Sequence, residues 1–264
     1  MSDRSRIERL YDLTNLAADL LSTGIRGRHP ALVEGLSELP SGSDSGPAGA
    51  ASGASATAST PSYAGLPREE RLRRLEELAA AIRSCTRCPL HEGRTKAVPG
   101  AGVLDPLVMI VGEGPGAQED RQGIPFVGRA GQYLDKWLAA IGLDRNTNVF
   151  IANIVKCRPP NNRDPETVES SACRPYLDEQ IEIIRPRMIL TVGRISMGLL
   201  TGSEGRITRI HGTFYSYKGI PLVPTFHPSA VLRNPDYRRP VWEDLKKVRN
   251  WLVDNAGHSA PDLP

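Results

Sequence analysis

Nowhere in the 264 residues does an apolar run reach the ~18 residues needed to cross a membrane. The opening MSDRSRIERLYDL sets Asp3, Glu8 and several arginines where a signal peptide would need an uninterrupted apolar core. A cytoplasmic protein with no membrane partner is therefore expected. Cysteine is scarce: four residues are too few for a disulfide scaffold of this length, and two of them form Cys85-Thr-Arg-Cys88. That pattern points to metal or redox chemistry. Charge of one sign is also lacking, since a net charge of +3 permits nucleic-acid binding without demanding it. No internal repeat is evident.

What is present is uneven along the chain. Residues 1–23 carry Ile7, Leu10, Leu13, Leu16, Leu20 and Leu21 at helical spacing and read as an N-terminal helix. Residues 24–67 turn to Gly, Ser, Ala, Pro and Thr, a composition that cannot bury enough apolar surface to offset its ordering entropy, and read as a flexible linker. Order returns for a domain over 68–255, followed by a disordered tail at 256–264. The domain begins with a helix whose Leu72, Leu75, Leu78 and Ile82 share one face and which delivers the chain to Cys85 and Cys88. Strands are expected at Leu107 to Val111, Val149 to Lys156, Arg187 to Gly193 and Pro221 to His227. Helices are expected at Gln132 to Leu143, Pro165 to Ile184, Ile195 to Leu200 and Val241 to Val253, and RITRIHGTFYSYKG reads as a small hairpin. Strands alternating with helices imply an α/β fold, a mostly parallel sheet with helices on both faces. Glu113, Asn153, Gly193 and His227 then fall at strand carboxyl ends, where one cleft would gather them.

Several residue types in that cleft carry chemistry. Gly112-Glu113-Gly114-Pro115-Gly116-Ala117 satisfies a loose dinucleotide pattern. Pro115 removes an amide, however, Glu113 adds negative charge, and Gly123 and Pro125 interrupt any following helix, so a phosphate cradle is disfavoured. The glycines instead let backbone approach a planar or sugar-like group, with Glu113 projecting into it. Phe126, in a loop near a strand end, is placed to stack on a base, the alternative being a loop anchor. Asn153 interrupts an apolar strand and offers a donor pair and an acceptor, the complement of a pyrimidine edge bearing an N–H beside a carbonyl. His227, in His227-Pro228-Ser229, could donate to a carbonyl oxygen on which negative charge develops. Cys85, Cys88, Cys157 and Cys173 suit tetrahedral zinc or a four-iron cluster, and the wide spacing of the second pair tilts the reading toward iron–sulfur. Basic residues in Lys156 to Arg163, with Arg206, Arg209, Arg233, Arg238 and Arg239, suit phosphate contacts or solvated surface.

CTRCPL, GEGPGAQEDRQGIPFVGRAGQ, NIVKCRPPNNRDP, the later Cys173 and HPSAVLRNP occur in that order. Together they resemble the type-4, iron–sulfur branch of the uracil-DNA glycosylase superfamily, over roughly Leu72 to Trp251. The resemblance implies a three-layer α/β/α sandwich around a short, mostly parallel four-stranded sheet. It implies an enzyme that flips deoxyuridine out of single- or double-stranded DNA and hydrolyses its N-glycosidic bond. On that likeness Glu113 and His227 are catalytic, Phe126 stacks on uracil, and Asn153 reads its edge. Gly112, Gly114 and Ser229 line the substrate site, and Val231, Leu232 and Arg233 enter the minor groove. The four cysteines hold a structural 4Fe-4S cluster, with zinc as the alternative. A monomer is expected, with the N-terminal segment tethering a repair or replication partner. RITRIH superficially resembles the histidine-bearing insertion of a branch that attaches covalently to DNA, but it follows the wrong strand, so turnover is expected. The rival readings are a glycosylase of broader deaminated-base specificity, a non-catalytic nucleic-acid-binding protein with a metal staple, and a redox sensor.

Overall fold

The computed structural model describes residue 63 and residues 65–255. The expected N-terminal helix, nearly all of the linker and the tail lie outside the described residues. Within the described residues no helix is long and apolar enough to cross a membrane. Tyr63, at the end of the predicted linker, is buried and donates its hydroxyl to Glu179 at 2.6 Å, so the folded unit starts before residue 68.

Four strands form the centre of the sheet: β2 (Val108–Gly112), β3 (Val149–Asn153), β4 (Met188–Val192) and β6 (Ile220–Thr225). They pair in parallel in the order β3-β2-β4-β6. Their residues alternate between two cores. Met109, Val111, Phe150 and Ala152 face one cluster, while Val108, Ile110, Val149 and Ile151 face the other. A strand buried on both faces needs apolar residues at every position, which explains the lack of alternation in the sequence. Helices α1 (Arg68–Arg83), α5 (Thr167–Ile184) and α6 (Arg194–Thr201) cover the first face. The second is covered by α4 (Arg129–Ala140) and α9 (Arg238–Asp254). The three-layer sandwich is as expected.

Among the described residues the sheet has six strands rather than four. Two short antiparallel strands extend it, β1 (Ala101–Gly102) on β3 and β5 (Tyr215–Tyr217) on β6. Strand β1 has two residues and leaves no periodic signal. The hairpin expected within 206–219 is displaced along the chain. Residues Ile207–Ile210 form a one-turn helix, α7, and the hairpin is β5–β6, joined at Lys218 and Gly219 with φ of 49° and 79°. Two successive positive φ values are the geometry that matches the twist of paired strands. Two further short helices are α2 (Leu90–Gly93) and α3 (Ala117–Gln122), and the latter occupies the stretch after β2 that the sequence reads as loop. Gly123 stops α3 after six residues in the left-handed conformation, at φ 77°. Residues Pro228–Arg233 form α8.

Candidate active site

The parallel order brings the carboxyl ends of β3, β2, β4 and β6 to one edge of the sheet, and the predicted cleft residues meet there. Ile154 donates its amide to the Gly112 carbonyl at 2.9 Å and Val155 to that of Glu113 at 3.1 Å. The chain leaving β2 therefore runs beside the chain leaving β3. A Cβ on Gly112 would lie 2.4 Å from Asn153 Oδ1 and 2.7 Å from Phe126 Cζ, so these three residues are packed against one another. A Cβ on Gly114 would press on Val155 Cγ2 at 2.8 Å.

Asn153 is 1% exposed, and its Oδ1 has no hydrogen-bond partner among the described residues. A buried polar atom without a partner costs roughly 1–3 kcal/mol, and such an atom in a cleft is one that a ligand can satisfy. Phe126 is buried beside it with φ 53°, a left-handed conformation rare for a bulky residue. Arg145 holds it there, donating to the carbonyls of Phe126 at 2.8 Å and Pro125 at 3.2 Å while paired with Asp135 at 2.6 Å. Gly131 of α4 passes so close that a Cβ would fall 1.9 Å from the Phe126 carbonyl oxygen.

The His227 ring lies 5.7 Å from the Phe126 ring, centroid to centroid. Its Nδ1 accepts the Ser229 amide at 3.1 Å and lies 2.7 Å from the Ser229 hydroxyl. Burial, reinforced by nearby Arg233 and opposed by Glu119, pushes its pKa down to about 4. The ring is thus neutral at pH 7 and, with Nδ1 accepting, its proton sits on Nε2. Gly193, at φ 103°, makes room for it: a Cβ there would sit 3.2 Å from the Cβ of His227. Burial together with the charge of Asp164, opposed by Arg194, raises Glu113 to about 7. Asp164 and Arg194 form an ion pair of their own. Glu113 thus titrates near neutrality, as a residue in acid–base or charge-stabilising chemistry does.

Of the residues following His227, Leu232 and Arg233 are exposed on α8, whereas Val231 is 1% exposed and packs into the core. Val231 therefore anchors the helix that presents its two neighbours. His211 is committed elsewhere, bonded through Nδ1 to both oxygens of buried Asp244 at 2.9 and 3.0 Å.

Cys85, Cys88, Cys157 and Cys173 line one cavity with Arg87, His91, Arg94 and Lys156. Three N–H groups point at sulfur: Arg94 at Cys157 (3.2 Å), the Lys156 amide at Cys173 (3.3 Å) and the Arg87 amide at Cys85 (3.5 Å). Burial raises the Cys157 and Cys173 thiols. Burial acts the same way on Cys85, but hydrogen bonds from Tyr176 and Arg87 outweigh it and bring that thiol down. Among the described residues no three cysteine, histidine or acidic side chains converge tightly enough for a single metal ion.

Sequence reasoning missed four supporting residues. Glu119 accepts the Val127 and Gly128 amides, both at 2.8 Å, and shapes the loop carrying Phe126. Asp164 bears on Glu113, Arg145 clamps Phe126, and Lys156 is a buried cation. Glu119, Asp164 and Arg145 are charged residues in polar stretches, and Lys156 ends an apolar run where the sequence offers a phosphate contact or solvated surface; only the folded partner distinguishes each.

Residues 99–246 match the model of the uracil DNA glycosylase superfamily. The type-4 uracil-DNA glycosylase of Sulfurisphaera tokodaii is 47% identical over 188 residues, which cover 68% of this chain and 85% of that protein. That of Pyrobaculum aerophilum is 47% identical over 65% of this chain and 91% of its own length. For the type-4 enzyme of Thermotoga maritima the figures are 43%, 67% and 94%. With a family model spanning more than half of its residues and relatives matched over most of their length, this chain belongs to the uracil DNA glycosylase superfamily, in its type-4 branch.

Proposed function

We propose that this protein is a DNA-repair glycosylase that takes deoxyuridine out of DNA and hydrolyses its N-glycosidic bond, leaving an abasic site. The observation that carries this reading is the unpaired Oδ1 of Asn153, buried against Gly112 and Phe126 and suited to the N–H of a uracil edge. The target bond is shielded inside a duplex, so the nucleotide must rotate out, at a cost of a few kcal/mol that a mismatched pair lowers. Phe126 supplies the stacking surface. Bond cleavage leaves negative charge on the base and positive charge on the sugar. His227, neutral and protonated on Nε2, donates to the carbonyl oxygen that gains charge, a contact worth about 10²–10³ in rate when lost elsewhere. Glu113, as a carboxylate, offsets the sugar's charge and orients the attacking water. Gly114 and Ser229 serve the site indirectly, Gly114 by leaving room at Val155 and Ser229 by fixing the imidazole tautomer.

The exposed Leu232 and Arg233, placed just after His227, suit contact with the strand from which the base has left. The ties of His211 to Asp244 support turnover over covalent trapping, because its imidazole already serves a buried carboxylate. The names of the type-4 relatives agree with uracil in DNA as the substrate.

The cysteine site fits a 4Fe-4S cluster better than zinc. Four thiols border one basic cavity with N–H donors to sulfur, and the wide sequence spacing of Cys157 and Cys173 is unlike the second close pair of a zinc ribbon. Cys85, Cys88, Cys157 and Cys173 would hold the cluster, whose part is to tie the segment after α1 to β3 and α5.

The test is release of uracil from single- and double-stranded oligonucleotides, read as strand cleavage after alkali. Wild-type protein should cleave only at uracil, and Glu113→Ala should lose most of that activity. A wild-type protein that releases no uracil, or a Glu113→Ala variant equal to it, would sink the proposal.

A further inference from the structure

One side chain lines the cysteine cavity and also reaches the base-reading end of β3. Lys156 is 1% exposed. Its Nζ donates to the backbone carbonyl of Asn153 at 2.8 Å and to Gln180 Oε1 at 2.7 Å, and Gln180 in turn donates to the Pro99 carbonyl at 2.6 Å. Its own amide donates to Cys173 Sγ at 3.3 Å, and Cys157 is the next residue. Cys173 and Gln180 lie seven residues apart on α5, two turns along the same face. Among the described residues no carboxylate is a hydrogen-bond partner of the lysine. Burying an ammonium costs more than filling the core with an aliphatic side chain; the sulfurs of the adjoining cavity offset part of that cost, and the two hydrogen bonds show what the side chain holds.

What it holds is Asn153. The Oδ1 of that residue has no partner among the described residues, so its aim depends on packing against Gly112 and Phe126 and on the backbone it stands on. That backbone is fixed on one side by the Ile154 amide on Gly112 and on the other by Lys156 Nζ on the Asn153 carbonyl. Resting on the glycosylase reading above, we infer that Lys156 is a positioning residue that fastens the peptide group of Asn153 to the helix bearing Cys173. One buried side chain thereby links the cysteine centre to the base pocket.

The test compares the full-length, metal-loaded protein with its Lys156→Met and Gln180→Leu variants. The measurements are iron content and visible absorption, melting temperature, kcat and KM for uracil release, and inhibition by free uracil. Lys156→Met should keep its iron, raise KM and the uracil inhibition constant about tenfold, and lower kcat less than that. Gln180→Leu should move the same two constants in the same direction, about threefold. A purely structural lysine would lower the melting temperature and leave uracil inhibition unchanged, and that result overturns the inference. Should Lys156→Met fail to fold or lose its iron, Gln180→Leu decides: uracil inhibition within about twofold of wild type overturns the inference. A wild-type protein that releases no uracil fails the glycosylase reading itself, and the inference falls with it.

Discussion

Replacing Gly112 by alanine adds one methyl group at the narrowest point of the site. That methyl would stand 2.4 Å from Asn153 Oδ1 and 2.7 Å from Phe126 Cζ, where ordinary contact begins near 3.4 Å. One neighbour or both must retreat by about 1 Å, a displacement that can cost about 10²-fold in rate when it falls on a substrate-orienting group. Neither can yield freely. Phe126 is clamped by Arg145 and by the close passage of Gly131, and the Asn153 backbone is tied on both sides. Overpacking of this kind costs about 1–3 kcal/mol, or roughly 3–10 °C in melting temperature for a folded unit of this size. The assay is single-turnover uracil release from a single-stranded oligonucleotide, with thermal unfolding followed on the same preparation. Gly202→Ala is the control. Gly202 has φ 69° with nothing within 4 Å of a built Cβ, so this variant should lose about 1 kcal/mol of stability and no uracil-releasing activity. If Gly112→Ala unfolds at the wild-type temperature and releases uracil within a few-fold of the wild-type rate, the packing reasoning is wrong.

With Glu113 raised to about 7 and acting as a carboxylate, kcat/KM should rise with pH through about 7 and then level off. Asp164→Asn removes a charge that raises Glu113, so the midpoint should move to lower pH, and an unmoved midpoint refutes the coupling. The sign for stability is opposite: between its usual carboxyl range and about 7 the folded state holds a proton that the unfolded state has lost, so Glu113→Gln should relieve destabilisation as pH rises. Cys85→Ser and Cys173→Ser should each lower the iron-to-protein ratio and bleach visible absorption, and unchanged iron content would remove those residues from the cluster site. Arg71 is 5% exposed and donates to Ile183 O, Ile184 O and both oxygens of Asp105. Arg71→Met should cost about 2–4 kcal/mol in denaturant unfolding while leaving kcat/KM for uracil release unchanged below the melting range.

Much of the fold was legible because its central strands are buried on both faces. Val108 to Val111 and Met188 to Leu190 can be apolar throughout only if both sides are covered, and that implies the three layers. The placement of Glu113, Asn153 and His227 along one edge of the sheet followed from topology, since parallel strands put their carboxyl ends on that edge. What stayed hidden has no local signal. Strand β1 is two residues long and exists through its pairing with Phe150 and Ile151. Helix α3 is a single polar stretch, AQEDRQ, whose Glu119 and Asp120 look like surface charges and are buried because distant amides at Val127, Gly128 and Thr95 need acceptors. Val231 was grouped with Leu232 and Arg233, yet the turn of α8 divides them, one inward and two outward.

The left-handed backbone of Phe126 bears on how the site receives a base. A phenylalanine at φ 53° carries a conformational penalty of about 1–3 kcal/mol, met during folding by Arg145, Gly131 and the amides gathered on Glu119. In the stacking role proposed for Phe126, the aromatic shelf is pre-organised, and an extruded nucleotide would need no loop closure to find a stacking partner. Encounter with a rotated base should then be limited by the motion of the DNA, not by rearrangement of the protein.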